Sequence, residues 1–196
     1  RLYRVLGRIR RFQRKHGSRQ TQNRWAYARR LNTELSRKTA AAITAYAVEN
    51  HADVIIFEYL DMQGKVSGNK KQRLHLWRKR DIQKLCEHQA HRKGIRVSRI
   101  SARNTSRLAY DGSGLVVRNP ANHSLCTFQT GKQYNCDLSA AYNIGARYFI
   151  RELLKPFSET ERSSLEAKVP SVKRRTSCVY ADLRLLSEEL SRQKTA

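Results

Sequence analysis

Acidic side chains are scarce in this sequence of 196 residues: 16 Asp and Glu stand against 40 Lys and Arg, a formal charge of +24. Solubility alone asks for far less, so a polyanionic partner is the economical reading, and nucleic acid is the commonest polyanion. Long apolar runs are missing as well. With no stretch of about 18 apolar residues and no charged-then-apolar opening segment, neither membrane insertion nor secretion is expected, and a cytoplasmic location is. Cys86, Cys126, Cys136 and Cys178 are too few and too scattered for a disulfide framework, which suits a reducing compartment. Repeats and low-complexity tracts are also lacking. What remains is one sizeable domain, or a domain with an insert and a tail, long enough to bury a core without staples. The sequence opens on Arg1 in a basic amphipathic pattern with no lead-in, from which a missing upstream segment is expected.

Residues 1–50 read as helix broken near Gly17 and Ser18, because Leu2, Leu6, Ile9 and Phe12 recur every three to four positions. The rest of that surface is basic. Arg4, Arg8, Arg11, Arg14, Lys15, Arg19, Arg24, Arg29, Arg30, Arg37 and Lys38 are opposed before residue 40 by Glu34 alone. Such a helix repels itself unless phosphates neutralise it, so a nucleic-acid-facing surface is expected, with a merely solvated face as the alternative. Residues 40–48 are smaller and more apolar, as expected of a helix packing on a sheet.

Asp53-Val-Ile-Ile-Phe-Glu58 is a β-branched and aromatic run that predicts a buried central strand ending on a carboxylate. Residues 61–71, with Gly64, Gly68 and Asn69, read as a loop. Helical spacing returns through Leu74, Trp77, Ile82 and Leu85 as far as Arg92, where Gly94 stops it, and residues 95–100 alternate as a second strand. Turn residues punctuate a small loop-rich insert over 104–136. Residues 137–154 predict another helix, and after Pro156 the only further helix predicted runs from about Tyr180 to Gln193. Cys86, His88 and His91 share a helix without sharing one face and read as ordinary helix residues.

This order places Glu58 at the C-terminal end of a strand and Asp137 in the first turn of a later helix, the edge where sites form in open α/β sheets. An ionised carboxylate after a buried run needs a compensating charge or exposure. A hard divalent cation held by oxygen ligands suits it, and Mg²⁺ is usual in phosphate chemistry; two such ions about 4 Å apart can activate water and stabilise a leaving oxygen. From the residues alone the plainer readings stay open: Glu58 as a solvated strand end, Asp137 as a helix N-cap.

Val54-Ile-Ile-Phe-Glu58-Tyr-Leu60 resembles the second RuvC motif of the TnpB (insertion-sequence OrfB) proteins and the type V CRISPR effectors, and Asn135-Cys-Asp137-Leu-Ser-Ala-Ala-Tyr-Asn143-Ile resembles their third. Between them Asn104-Thr-Ser-Arg107 with the turn at Gly114 is similar to the start of the family's zinc ribbon, and the basic helices lie where the family has its arginine-rich segment. The resemblance covers about residues 1–155. It implies an α/β, RNase H-like (RuvC) mixed sheet with flanking helices, incomplete at the N-terminus, carrying a small degenerate ribbon-like insert. The implied division is a basic helical segment over 1–50, a RuvC core over 51–103, the nucleic-acid-binding insert over 104–136, the third-motif helix over 137–155 and a tail over 156–196.

The implied activity is hydrolysis of DNA phosphodiesters by a transposon-associated, RNA-guided endonuclease, with guide RNA and target DNA as partners, the protein reading shape and a short flanking motif. Glu58 and Asp137 become Mg²⁺ ligands and Asn143 and Arg147 supporting residues near the scissile phosphate; Arg107 joins the basic residues that touch nucleic acid. Two departures matter. The first RuvC motif, a strand carrying the leading Asp, is absent, so the chain is expected to need a missing N-terminal region or a separate subunit and to be inactive alone. The ribbon's first cysteine pair is absent too; Cys126 and Cys136, even with His123, make a poor tetrahedral set, and zinc is not expected. Hydrogen-bonded turns with Leu125, Phe128 and Tyr134 are expected to hold the insert instead. Rival readings are a nuclease-inactive RNA-guided DNA-binding protein, such as a repressor, and a basic RNA-binding protein.

Overall fold

A computed structural model describes residues 1–59 and 78–195 of the chain. The expected loop over 61–71 and the helical positions Leu74 and Trp77 lie outside the described residues, as does the side chain of Arg19. The chain divides into two compact units, one of Arg1–Ile55 with Met62–Val97 and the other of Ile56–Asp61 with Ser98–Ala196.

In the first unit, α1 (Leu2–His16) and α2 (Gln22–Glu49) are separated by a short 3-10 turn, Arg19–Thr21. The break falls where the sequence places it, since Gly17 takes φ +72 and returns its N–H to the Gln13 carbonyl, a left-handed backbone that glycine adopts without strain. Leu6 and Ile9 are buried against Ala28, with Leu2, Val5 and Trp25 packed around them. Burying each such aliphatic side chain stabilises by about 1.5–3 kcal/mol. The opposite face of α1 keeps Arg4, Arg8, Arg11, Arg14 and Lys15 in solvent, and Arg29 and Arg30 are exposed on α2.

The small residues of α2 have a different neighbour from the expected sheet alone. Ala40 is fully buried, and its carbonyl lies 3.5 Å from Cys86 Sγ on α3 (Lys79–His91). Small side chains at this seam let two helix backbones approach closely. At its C-terminal end α2 reaches strand residues, where Ala47 packs with Ala90, Ile95, Ile55 and Val97.

Strands β1 (Val54–Tyr59) and β2 (Arg96–Ser101) pair with each other. The N–H of Arg96 donates to Asp53 O at 3.0 Å, so the strands start side by side, as in a parallel pair joined through a helix. The sequence predicts a buried central strand here, but β1 is only half-buried from Val54 to Glu58. Among the described residues β2 is its one paired neighbour, so one edge lacks a strand that would cover it.

The second unit is built on α4 (Cys136–Leu154). Before it, β3 (Val117–Arg118), β4 (Leu125–Thr127) and β5 (Gln133–Asn135) form an antiparallel meander with Cys126 opposite Tyr134. Ala109, Cys126, Phe128 and Cys136 are its buried centre, with Tyr110, Val116 and Tyr134 packed on them. Gly114 takes φ +114, and a Cβ there would meet the Gln129 side chain at 2.7 Å, so glycine is the residue that fits.

After Pro156 the structure holds more than the single predicted helix. Helix α5 (Glu159–Lys168) precedes a 3-10 turn, Pro170–Lys173, and α6 (Tyr180–Thr195). Ile150 and Leu154 of α4 pack with Leu165, Val169, Val172, Cys178 and Leu186 into a buried cluster, so this segment is folded onto α4 rather than trailing from it. No helix among the described residues is long and apolar enough to cross a membrane.

Candidate catalytic site

Glu58 is the penultimate residue of β1, where the sheet's alternation and the strand's end leave its side chain half-buried. Its Oε1 accepts a hydrogen bond from the hydroxyl of Thr105 at 2.5 Å. Thr105 is 1% exposed, in the turn that follows β2. Its single hydroxyl proton faces two acceptors, Glu58 Oε1 and, at 3.0 Å, Ala102 O, and the shorter contact is to the carboxylate. A buried donor aimed at a carboxylate oxygen fixes the carboxylate's rotamer.

The Thr105 turn is itself held from α4. Asn143 is fully buried; its Nδ2 donates to Thr105 O at 3.0 Å and to Leu108 O at 2.9 Å, while its Oδ1 accepts the Tyr180 N–H at 3.2 Å. One amide thereby ties the turn after β2, α4 and the start of α6. Arg147, one helical turn on, is 5% exposed. Its Nε donates to Cys178 O at 3.0 Å, and its Nη1 donates to Ser101 O at 2.9 Å and Arg103 O at 2.7 Å. Burial pushes the Arg147 guanidinium below its ordinary value, and the charges of Cys178 and Glu58 oppose that shift. Nη2 is buried without a hydrogen-bond partner, while Nε and Nη1 hold loop carbonyls.

Asp137 stands apart from this chain of hydrogen bonds, exposed in the first turn of α4. The N-cap role that it could have filled belongs to Asn135, whose Oδ1 accepts the N–H of Asp137 at 2.9 Å and of Leu138 at 3.0 Å. The Asp137 carboxylate is therefore not engaged in capping. It lies six residues before Asn143, about 9 Å along the helix axis.

The donor chemistry of Glu58 and Asp137, hard carboxylate oxygens, fits a divalent cation such as Mg²⁺, which commonly takes one or two protein carboxylates and fills the rest with water and phosphate. Among the described residues no group of three or more His, Cys, Asp and Glu side chains gathers around a metal-sized space. Cys126 and Cys136 lie together inside the insert, and burial with the neighbouring Cys136 thiol pushes Cys126 up to about 11. His123 is exposed on the loop before β4, and Arg107 is exposed in the turn that carries Thr105.

Thr105, the hydrogen-bond partner of Glu58, is the residue that sequence reasoning passes over. It stands within the motif Asn104-Thr-Ser-Arg107 but is noticed there only as the start of the insert.

No family model and no curated protein matches the chain. Among solved structures, the chain is similar to one described as the cryo-EM structure of the Cas12f1-sgRNA-target DNA complex, with a TM-score of 0.53 and 18% sequence identity. The likeness covers 72% of this chain and 40% of that one, so the chain spans well under half the length of the protein it matches. At that identity the shared property is the fold, a mixed α/β arrangement.

Proposed function

We propose that this chain is the C-terminal part of an RNA-guided DNA endonuclease of the TnpB and type V kind, with an RNase H-like RuvC fold. The observation that carries the reading is the fold likeness to Cas12f1, whose structure contains a guide RNA and target DNA, in a chain where Glu58 ends a strand and Asp137 opens a helix. Glu58 and Asp137 would hold Mg²⁺. Bound there, the ion would supply activation of water and stabilisation of the leaving oxygen of a phosphodiester.

The protein's own part follows from the contacts. Thr105 orients the Glu58 carboxylate, Asn143 holds the Thr105 turn, and Arg147 fastens the loop carbonyls beneath it. Guide RNA and target DNA are the partners in this reading, met by the exposed arginines of α1 and α2. The half-covered β1 is suited to receive a further strand, which in the family carries the first carboxylate. Alone, the chain is expected to cleave poorly or not at all.

A second reading is a nuclease-inactive, nucleic-acid-binding relative, favoured by the lack of a third acidic ligand among the described residues. Substitution Glu58→Gln in the complete, guide-loaded protein separates the two. Loss of Mg²⁺-dependent DNA cleavage with target binding retained supports the endonuclease; no cleavage even before substitution supports the binder.

A further inference from the structure

The segment after α4 builds a cationic cleft to which the catalytic reading gives no role. Arg151, Glu152, Leu154, Lys155, Arg162 and Arg175 line a cavity of about 370 Å³. Four cations thus meet one carboxylate, and that carboxylate is already engaged. Glu152 Oε1 accepts from Arg151 Nε at 3.0 Å and lies 3.0 Å from its Nη2. Ser98 Oγ, at 2.8 Å from Nη2, fixes the Arg151 guanidinium further.

Among the described residues no carboxylate pairs with Lys155, Arg162 or Arg175, so three uncompensated positive charges face one space. Arg162 is not free to swing away from them. Its Nε donates to Phe157 O at 2.8 Å and its Nη2 to Lys155 O at 3.4 Å, which locks the fork in place. Lys155 and Arg175 are exposed and long enough to close over a ligand. Like charges held around one cleft repel unless an anion sits among them. A tetrahedral oxyanion matches anchored guanidinium forks best.

We propose that this cleft binds a backbone phosphate of a nucleic-acid strand, as a contact made by residues other than those around Glu58. The inference rests on the reading that the partner is nucleic acid. A strand is favoured over a free phosphate ion because the positive surface continues along the chain through exposed Lys173 and Arg174. Successive phosphates need such a track, whereas a single ion does not.

The test is fluorescence anisotropy of a short labelled single-stranded oligonucleotide with the full chain over a range of salt concentrations. The triple variant Lys155→Gln/Arg162→Gln/Arg175→Gln should lower affinity about tenfold or more and flatten the slope of log affinity against log salt by about 2, as loss of three single-strand phosphate contacts requires. A control with the same charge loss at exposed positions in and after α3, Lys84→Gln/Arg92→Gln/Lys93→Gln, should change both much less. Because Arg162 also braces its own loop, the double variant Lys155→Gln/Arg175→Gln provides a milder case, with an unchanged thermal midpoint and a slope flatter by about 1. Equal effects from cleft and control variants overturn the proposal. So does stoichiometric binding of inorganic phosphate that the cleft variants abolish while oligonucleotide binding stays intact, since the occupant is then the free ion. If the unsubstituted chain fails to bind the oligonucleotide at all, the nucleic-acid reading falls together with the cleft.

Discussion

A carboxylate at the end of a strand has rotamers to choose among, and Thr105 selects one for Glu58 with a hydrogen bond spanning 47 positions of sequence. Replacing it by a side chain of the same shape without the hydroxyl, Thr105→Val, should lower unfolding free energy by about 1–2 kcal/mol in urea titration. Under the proposed endonuclease reading, the same variant in the complete protein should slow cleavage without weakening target binding. Asn143→Leu is the harsher change: two carbonyls and one N–H lose their buried partner together. About 3 kcal/mol or more should be lost, with the second unit becoming protease-sensitive first. The strand-end place of Glu58 and the helix-opening place of Asp137 are legible in the sequence because one closes an apolar run and the other opens a helical one. Thr105 is not, since nothing in local periodicity marks a hydroxyl whose acceptor lies on another element. Asn143 stands out only through the resemblance, and its role as a clamp between the Thr105 turn and Tyr180 emerges from the packing.

At the scale of elements, helices with a strong apolar stripe are the easiest to read. Leu6 and Ile9 mark the buried side of α1 in the sequence and are buried in the structure. Helix α5 escapes notice for the opposite reason: Leu165 is its one buried residue, so it has almost no stripe. Its signal is polar, a capping box in which Ser158 accepts the Glu161 N–H and Glu161 accepts the Ser158 N–H. Ser158→Ala should therefore destabilise by about 1 kcal/mol at neutral pH. The Ser158 hydroxyl, then its backbone N–H, hold the Glu161 carboxyl below its ordinary value of 4.5. A depressed folded-state pKa contributes stability above the unfolded value and loses it as pH falls through the folded one. The gap between wild type and Ser158→Ala should thus be flat above pH 4.5 and narrow below it, which denaturation at a series of pH values measures. Strand β1 is read correctly as a strand but wrongly as a buried one, because composition records what a strand can bury and not whether its neighbours are at hand.

For the molecule as a whole, the charge of +24 is plain in the composition, and the structure puts the arginines of α1 in solvent. Substituting Arg4, Arg8 and Arg11 by Gln should weaken binding to any oligonucleotide sequence alike and flatten its salt dependence by about 2, with little change in stability. Division into two units, and the folding of residues 156–195 onto α4, could not be read from a polar stretch lacking a continuous apolar pattern. Within the second unit the decisive question is whether Glu58 and Asp137 act on the same ion. Electron paramagnetic resonance of Mn²⁺, used in place of Mg²⁺, with wild type, Glu58→Gln, Asp137→Asn and the double variant answers it. If they share the ion, each single substitution removes the same bound Mn²⁺ and the double removes no more. Independent, additive losses, or wild-type binding that survives both substitutions, would show that the two carboxylates do not form one centre.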